Sequence, residues 1–431
     1  MARIVLATFG SLGDLHPFLA LALRLRAAGH QPVIATAALY REKVEAEGLE
    51  FAAVRPDFGD LERDLGATPE ETMVRMIAGE DFLFREVLFP YVRVGFEDSL
   101  RAIEGADMVV TTNFAFGARL AAEVRGVPLV AAVLQPAVFL SRFDPPSGPY
   151  PLMNRLVGGV GPVGRGVLRE VVKGVVAGWA TPVHALRREL GLPRVRDLVF
   201  DGQSANAVLT LGLYSPLLGA PQPDFPPRTR LTGFCFYDSE AGAASRLSPE
   251  LERFLSAGPA PLVFSLGSTA VLVGEAVYRR SLEAARALGE RAVLLVGERA
   301  LERWRDAAGA DVFVSAYEPH GALFPRARVI AHHGGAGTSA QALRAGVPQL
   351  VTPFMADQPD NAARLVRLGL ARTLPPRRYT AKRAAAQLRA LSREPAYAEA
   401  ARRAGAAITL EDGAGAAVTA IEGVLGARRA A

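Results

Sequence analysis

Among 431 residues there is a single cysteine, Cys235, so no disulfide can form within the chain. A lone thiol suits a reducing compartment, and its simplest role is that of a small buried hydrophobe. Lysine is nearly missing: Lys43, Lys173 and Lys382 are the whole set, and arginine carries the remaining cationic charge. No basic stripe with interleaved aromatics is present, which argues against a nucleic-acid partner. No long hydrophobic run exists either. The longest uncharged apolar stretch, Gly126–Ser141, is broken by Pro128, Gln135 and Pro136, and it falls short of the roughly 20 residues that a spanning helix needs. Residue 3 onward reads as a strand rather than a signal peptide. The expectation is a cytoplasmic protein, with peripheral contact at the inner face of a membrane left open. The chain also lacks carboxylates or histidines at metal-ligand spacing near its glycine turns, so no metal and no cofactor are expected.

What is present is enough for two cores. Half the residues are hydrophobic and 22% are charged, a balance that favours folded domains over disorder. Strand and helix patterns alternate twice. Arg3–Thr8 reads as a buried strand, followed by a glycine turn, a helix from about Leu15 to Ala28, and a second strand at Pro32–Ala35. Met108–Thr111, Leu129–Val133 and Ala207–Leu211 continue the series. Residues 215–230 hold five prolines, which predicts an irregular linker. The pattern then restarts at Leu262–Ser265, Val293–Val296, Val312–Val314, Val329–Ala331 and Gln349–Val351. Strands separated by helices predict α/β architecture with parallel, doubly wound sheets. The expected division is an N-terminal domain at 1–215, a linker at 216–236, a C-terminal domain at 237–411, and a helix at 412–431 that returns to the first domain.

Two turns carry chemistry. In the second half, the strand ending at Ala331 runs into His332-His333, then Gly334, Gly335 and Gly337, and Thr338 enters a helix. Bare backbone N–H groups and a positive helix end then meet at one point, which is how a chain holds a phosphate. Some twenty residues on, Asp357-Gln358 offers an acceptor and an amide to sugar hydroxyls. In the first half, Gly10-Ser11-Leu12-Gly13-Asp14-Leu15-His16-Pro17 follows the first strand. It is not the GxGxxG of dinucleotide sites. Asp14 sits just before a helix, in the place of an N-cap.

These residues resemble family-1 nucleotide-sugar glycosyltransferases of the GT-B fold, and among them the bacterial rhamnosyltransferases of rhamnolipid synthesis and the sterol and antibiotic glycosyltransferases. The likeness rests on GSLGDLHPF at 10–18, LVFSLGST at 262–269, Tyr317-Glu318-Pro319-His320, and the HHGGAGT to DQ..NA.R signature at 332–364. It implies two Rossmann-like domains facing a cleft, with the acceptor on the first and the donor on the second. It implies inverting, metal-independent transfer of a hexose (glucose or rhamnose) from a UDP- or dTDP-sugar to a hydroxyl of a hydroxy-fatty ester, polyketide, phenolic or sterol. Asp14 falls at the general base. His332 falls at the diphosphate histidine, with Gly334, Gly337, Thr338 and Ser268 completing the cradle. Tyr317 matches the base-stacking aromatic, and Asp357 and Gln358 the sugar-reading pair. His16 and Asn113 are candidates for acceptor contact.

Three departures stand out. Plant members hold the ribose diol with a glutamate where this chain has Ala340. They also support their base with an acid where this chain reads Thr111-Thr112-Asn113, and His16 inherits no family role. The apolar segments Phe82–Phe96 and Tyr150–Thr181 are expected to wall an acceptor pocket, the latter alternatively a helical excursion or a membrane-facing patch. A nucleotide-sugar epimerase and a non-catalytic nucleotide-binding partner are the competing readings.

Overall fold

The computed structural model describes every residue except 196, 198, 201–206, 241 and 431. The chain divides into two compact units, Met1–Gly242 with Glu411–Ala431, and Ala243–Leu410.

The first unit is built on a seven-stranded sheet. Its strands are β1 (Arg3–Ala7), β2 (Gln31–Thr36), β3 (Glu50–Ala53), β4 (Met108–Thr111), β5 (Leu129–Val133), β6 (Leu209–Gly212) and β7 (Thr229–Leu231). All pair in parallel, in the order β3-β2-β1-β4-β5-β6-β7. Side chains alternate across a strand, so β1 feeds two cores. Ile4 and Leu6 join one cluster with Phe18, Leu19 and Ile421, while Val5 and Ala7 join another with Phe89, Val109 and Phe116. Burial on both faces explains why β1, β4 and β5 read as continuous apolar runs. Cys235 lies in the first of these clusters, and burial pushes its thiol up to about 12, which leaves it inert.

The second unit repeats the plan with six strands, β8 (Leu262–Ser265), β9 (Ala292–Leu295), β10 (Val312–Ser315), β11 (Val329–His332), β12 (Gln349–Val351) and β13 (Ala371–Thr373). Their order is β10-β9-β8-β11-β12-β13. In both sheets the first and fourth strands are neighbours, so the strand order reverses between them. In open parallel sheets, ligands bind at the carboxyl ends flanking that reversal. The loops after β1, β4, β8 and β11 are thereby singled out.

Five helices matter below: α1 (Leu12–Ala27), α2 (Pro162–Trp179), α3 (Ala336–Arg344), α4 (Gln358–Arg367) and α5 (Gly413–Ala430). Helix α1 starts three residues earlier than expected, because Ser11 rather than Asp14 caps it. The segment 216–236 is not a free linker. It belongs to the first unit, and β7 begins at Thr229 once the prolines end. That strand lies at a sheet edge, where the preceding prolines interrupt no ladder. Helix α5 packs on α1 and places Ala417, Val418, Ile421 and Leu425 in the first unit's core. Apolar residues of Phe82–Phe96 prove to be core: Val87 is buried, and Leu88, Phe89, Val92 and Phe96 are buried in the second cluster. Tyr150–Thr181 forms helices instead. On α2 the residues Val163, Val167, Val171 and Val175 make an exposed stripe, while Lys173 and Val176 face inward. Among the described residues, no helix is long and apolar enough to cross a membrane.

Candidate functional site

At the carboxyl end of β1 the chain turns through Gly10 at φ +133°, a value that side chains avoid. A Cβ built there would sit 2.3 Å from Asp14 Oδ2, so glycine is needed twice over. Ser11 and Asp14 form a capping box. The Ser11 hydroxyl accepts from Gly13 N at 3.2 Å, and Asp14 Oδ2 accepts from Ser11 N at 2.8 Å and Ser11 Oγ at 3.3 Å. No other described residue donates to Oδ1, although Asp14's own backbone N–H also lies against the carboxylate. Tyr40 locks the turn from behind by donating its hydroxyl to Gly10 O at 3.1 Å. Asp14 keeps part of its surface open to solvent, yet burial pushes its pKa up to about 6, against the opposing pull of the Ser11 hydrogen bonds. A carboxylate of that strength is well matched to proton transfer near neutrality. Asn113, after β4, is buried, and its carbonyl accepts weakly from Arg119. The His16 ring lies 4.9 Å from that of Tyr237, tilted by 35°.

In the second unit, the expected diphosphate histidine is differently employed. His332 is fully buried at the end of β11. Its Nδ1 accepts from Gly334 N at 3.1 Å, which requires the proton on Nε2, and Nε2 meets Gln349 Oε1 at 2.9 Å. Both nitrogens serve the fold, fixing Gly334 at φ +91°. His333 is the histidine at the turn itself. A Cβ on Gly267 would lie 2.4 Å from its Cε1, and one on Gly335 2.4 Å from its Nε2. The imidazole is therefore wedged between the glycine turns after β8 and β11, and its Nδ1 has no hydrogen-bond partner among the described residues. Burial is the leading reason that His320, His332 and His333 fall to about 4, 4 and 3, and mutual repulsion adds to the effect for His320 and His333. All three are neutral at pH 7.

Gly335 is the N-cap of α3 and offers no side chain to it, so the first N–H groups of the helix are open to an anion. Gly337 lies in that first turn, and Thr338 is buried beneath it. Ser268 is exposed in the turn after β8, and Tyr317 is exposed after β10. The sugar-reading pair divides in role. Gln358 is buried, and its Oε1 accepts from Phe354 N at 2.7 Å and Met355 N at 3.2 Å, shaping the loop before α4. Asp357 caps that helix with its side chain turned to Asn361, whose Nδ2 donates to Asp357 Oδ2 at 2.6 Å and to Gly334 O at 2.9 Å. Asn361 thus ties the acid to the glycine turn. Sequence reasoning missed Asn361, Gln349 and His333 as working residues. The i,i+4 spacing of Asp357 and Asn361 on one helix face was the available signal.

The wedge gives a direct expectation. Gly267 sits at φ +68°, so Gly267→Ala imposes backbone strain and displaces His333 together, a cost of about 1–3 kcal/mol. Calorimetry should show weakened nucleoside-diphosphate binding and a lower melting temperature. Native affinity would mean that the ring is idle.

Comparison with known proteins follows the same halves. Residues 4–84 match the glycosyltransferase family 28 N-terminal domain, and residues 279–421 match the C-terminal domain of erythromycin biosynthesis protein CIII-like proteins. The O-mycaminosyltylonolide 6-deoxyallosyltransferase of Streptomyces fradiae is 33% identical, over 95% of this chain and 94% of its own. The chain belongs to the family-1 GT-B glycosyltransferases. This glycosyltransferase is also 30% identical to the vancomycin aglycone glucosyltransferase of Amycolatopsis orientalis, over 85% of this chain and 84% of that one. A sterol 3-beta-glucosyltransferase of Arabidopsis thaliana is 28% identical over 83% of this chain and 55% of its own length. In fold, the glycosyltransferase matches VinC, solved in complex with dTDP, with a TM-score of 0.67 over 98% of this chain and 99% of that one, at 20% identity. It is a hexosyltransferase of the GT-B fold.

Proposed function

We propose that this hexosyltransferase is an inverting, metal-independent O-glycosyltransferase that moves a hexose from a thymidine- or uridine-diphosphate sugar to a hydroxyl of a lipophilic small molecule. The observation that carries the reading is Asp14, a carboxylate at the strand-order reversal with one oxygen held and the other open. The acceptor oxygen attacks C1 of the sugar while its proton passes to Asp14, and the bond from C1 to the diphosphate breaks on the opposite face. Charge grows on the departing diphosphate. The uncapped N-terminus of α3 and an N–H of neutral His333 meet that charge, taking the part first given to His332. This electrostatic route uses only groups that the chain itself supplies.

Support for the acceptor class comes from the relatives, whose names specify O-mycaminosyltylonolide, vancomycin aglycone and sterol. It also comes from an open apolar depression on the first unit, lined by Val163, Val167 and Val171 of α2 beside Arg142, Arg169 and Asp224. Apolar walls supply affinity by area and discriminate shape poorly. For the nucleoside, Ala340 is buried in α3 and offers no acceptor to a ribose 2′-hydroxyl, which favours thymidine.

The test is turnover with dTDP- and UDP-hexoses against a macrolide aglycone, a sterol, a hydroxy-fatty ester, a flavonoid and glucose, with and without EDTA. Expected is a glycoside of the apolar alcohols, with inverted anomeric configuration by NMR, formed equally in chelator. Release of an altered free sugar without any glycoside would mark an epimerase. Loss in EDTA restored by Mg²⁺ would overturn the metal-free route.

A further inference from the structure

The carboxylate proposed as base has none of the usual help. Many catalytic bases are oriented by a neighbouring acid, but the loop after β4 reads Thr112-Asn113 and supplies none. No charged side chain is among the causes of Asp14's shifted pKa, and the Tyr40 phenol, from the short turn after β2, feels its charge. Asp14 is nevertheless not free to rotate. Its Oδ2 takes both the backbone N–H and the hydroxyl of Ser11, and a side chain at position 10 would collide with the same oxygen. The Tyr40 hydroxyl then fixes the carbonyl of that glycine. Both hydrogen bonds from Ser11 fall on Oδ2.

We propose that Ser11 is a positioning residue for Asp14: its backbone N–H and hydroxyl hold Oδ2 so that Oδ1 is presented to the acceptor hydroxyl. The helix cap and the catalytic orienter are then one device. An ordinary capping box satisfies the first backbone donors of a helix and uses its acidic member for nothing else. Here the acidic member is also the residue in need of orientation, and the cap does for it what an acid does for a histidine base. Ser11 also has an electrostatic effect, since donors to the ionised form of a carboxylate favour that form. Burial pushes Asp14 one way and Ser11 pulls it back, so the acid limb of the rate profile is set by the balance of the two.

The inference rests on Asp14 being the base, and the experiment separates the two. Ser11→Gly removes the hydroxyl while leaving a residue that caps helices nearly as well. Ser11→Thr keeps the hydroxyl. In Ser11→Gly, kcat should fall roughly tenfold, with the donor KM unchanged. The acid limb of kcat should also move up by roughly half a pH unit to one. Ser11→Thr should restore both. Because a purely structural cap affects folding but not the titration of the base, an unmoved acid limb in Ser11→Gly would overturn the proposal, whatever happens to the melting temperature. Asp14→Asn run alongside supplies the control. If it retains turnover, the base reading itself fails and the proposal with it. If it is inactive while Ser11→Gly keeps the native limb, only the positioning role is lost.

Discussion

Replacing Asp14 with asparagine should cut transfer by about 10²–10⁴-fold and leave nucleoside-diphosphate binding intact. The amide occupies the same place in the capping box, so its Oδ1 can still accept from Ser11, but it cannot take a proton. The native enzyme should also lose kcat/KM as pH falls below about 6, the value to which burial raises this carboxyl, by a factor of ten for each further pH unit. The variant should show no such limb in its residual rate. Stability should move the other way. The folded carboxyl keeps its proton up to about 6, whereas an unfolded aspartate gives it up near 3.8. Folding is therefore increasingly disfavoured as pH rises from the lower value to the upper, and the cost is complete above it. Removing the charge removes that cost, so the variant should melt at the same or a higher temperature at pH 7.5. Undiminished transfer to an alcohol would leave Asp14 a cap and nothing more.

The largest stability effect is expected from Arg364. Its Nε donates to Asp360 Oδ2 at 2.6 Å, with the two side chains 1% and 3% exposed. Both lie on α4, the helix that begins at the Asp357-Gln358 pair and carries Asn361. Removing one member of such a pair leaves a charge buried without its counterpart and costs about 3–5 kcal/mol. Arg364→Ala should lower the melting temperature of the second unit by roughly 6–20 °C, and loosening of α4 should weaken donor binding in parallel. The double change Asp360→Leu with Arg364→Met should recover much of the loss, because two apolar groups of similar volume leave nothing uncompensated. If Arg364→Ala melts within a degree or two of the native protein, the pair is not what holds the helix.

The strands readable in the sequence were those covered on both faces. β1, β4, β5, β8 and β11 are apolar but for Arg3, Thr111, Ser265 and His332 at their ends, and nothing but a buried strand suits so short a run. The three that went unread, β3, β7 and β13, all lie at sheet edges and mix polar with apolar residues, as in Thr229-Arg230-Leu231. The glycine turns were legible because glycine at the end of a strand has few other uses. What the sequence could not give was the division of labour between adjacent identical residues. His332 and His333 differ by one place, and strand alternation sends the first inward to Gln349 and the second to the turn. The oxygen of Gln358 serves the loop backbone, a role that its place beside Asp357 does not reveal. Helix α2 resisted for another reason. Its valines repeat every fourth residue, a spacing that ordinarily marks the buried face, yet here that face is exposed.

Helix α5 closes the chain's account in time as well as in space. The first unit's core includes Ala417, Val418, Ile421 and Leu425, residues made more than 160 positions after the unit's own last strand, while everything in Ala243–Leu410 is synthesised between. On a ribosome, domains form as their residues emerge. The second unit has all its strands and helices before α5 exists, so it can be complete while the first still exposes the α1 surface that α5 will cover. The half translated first is thus the half finished last.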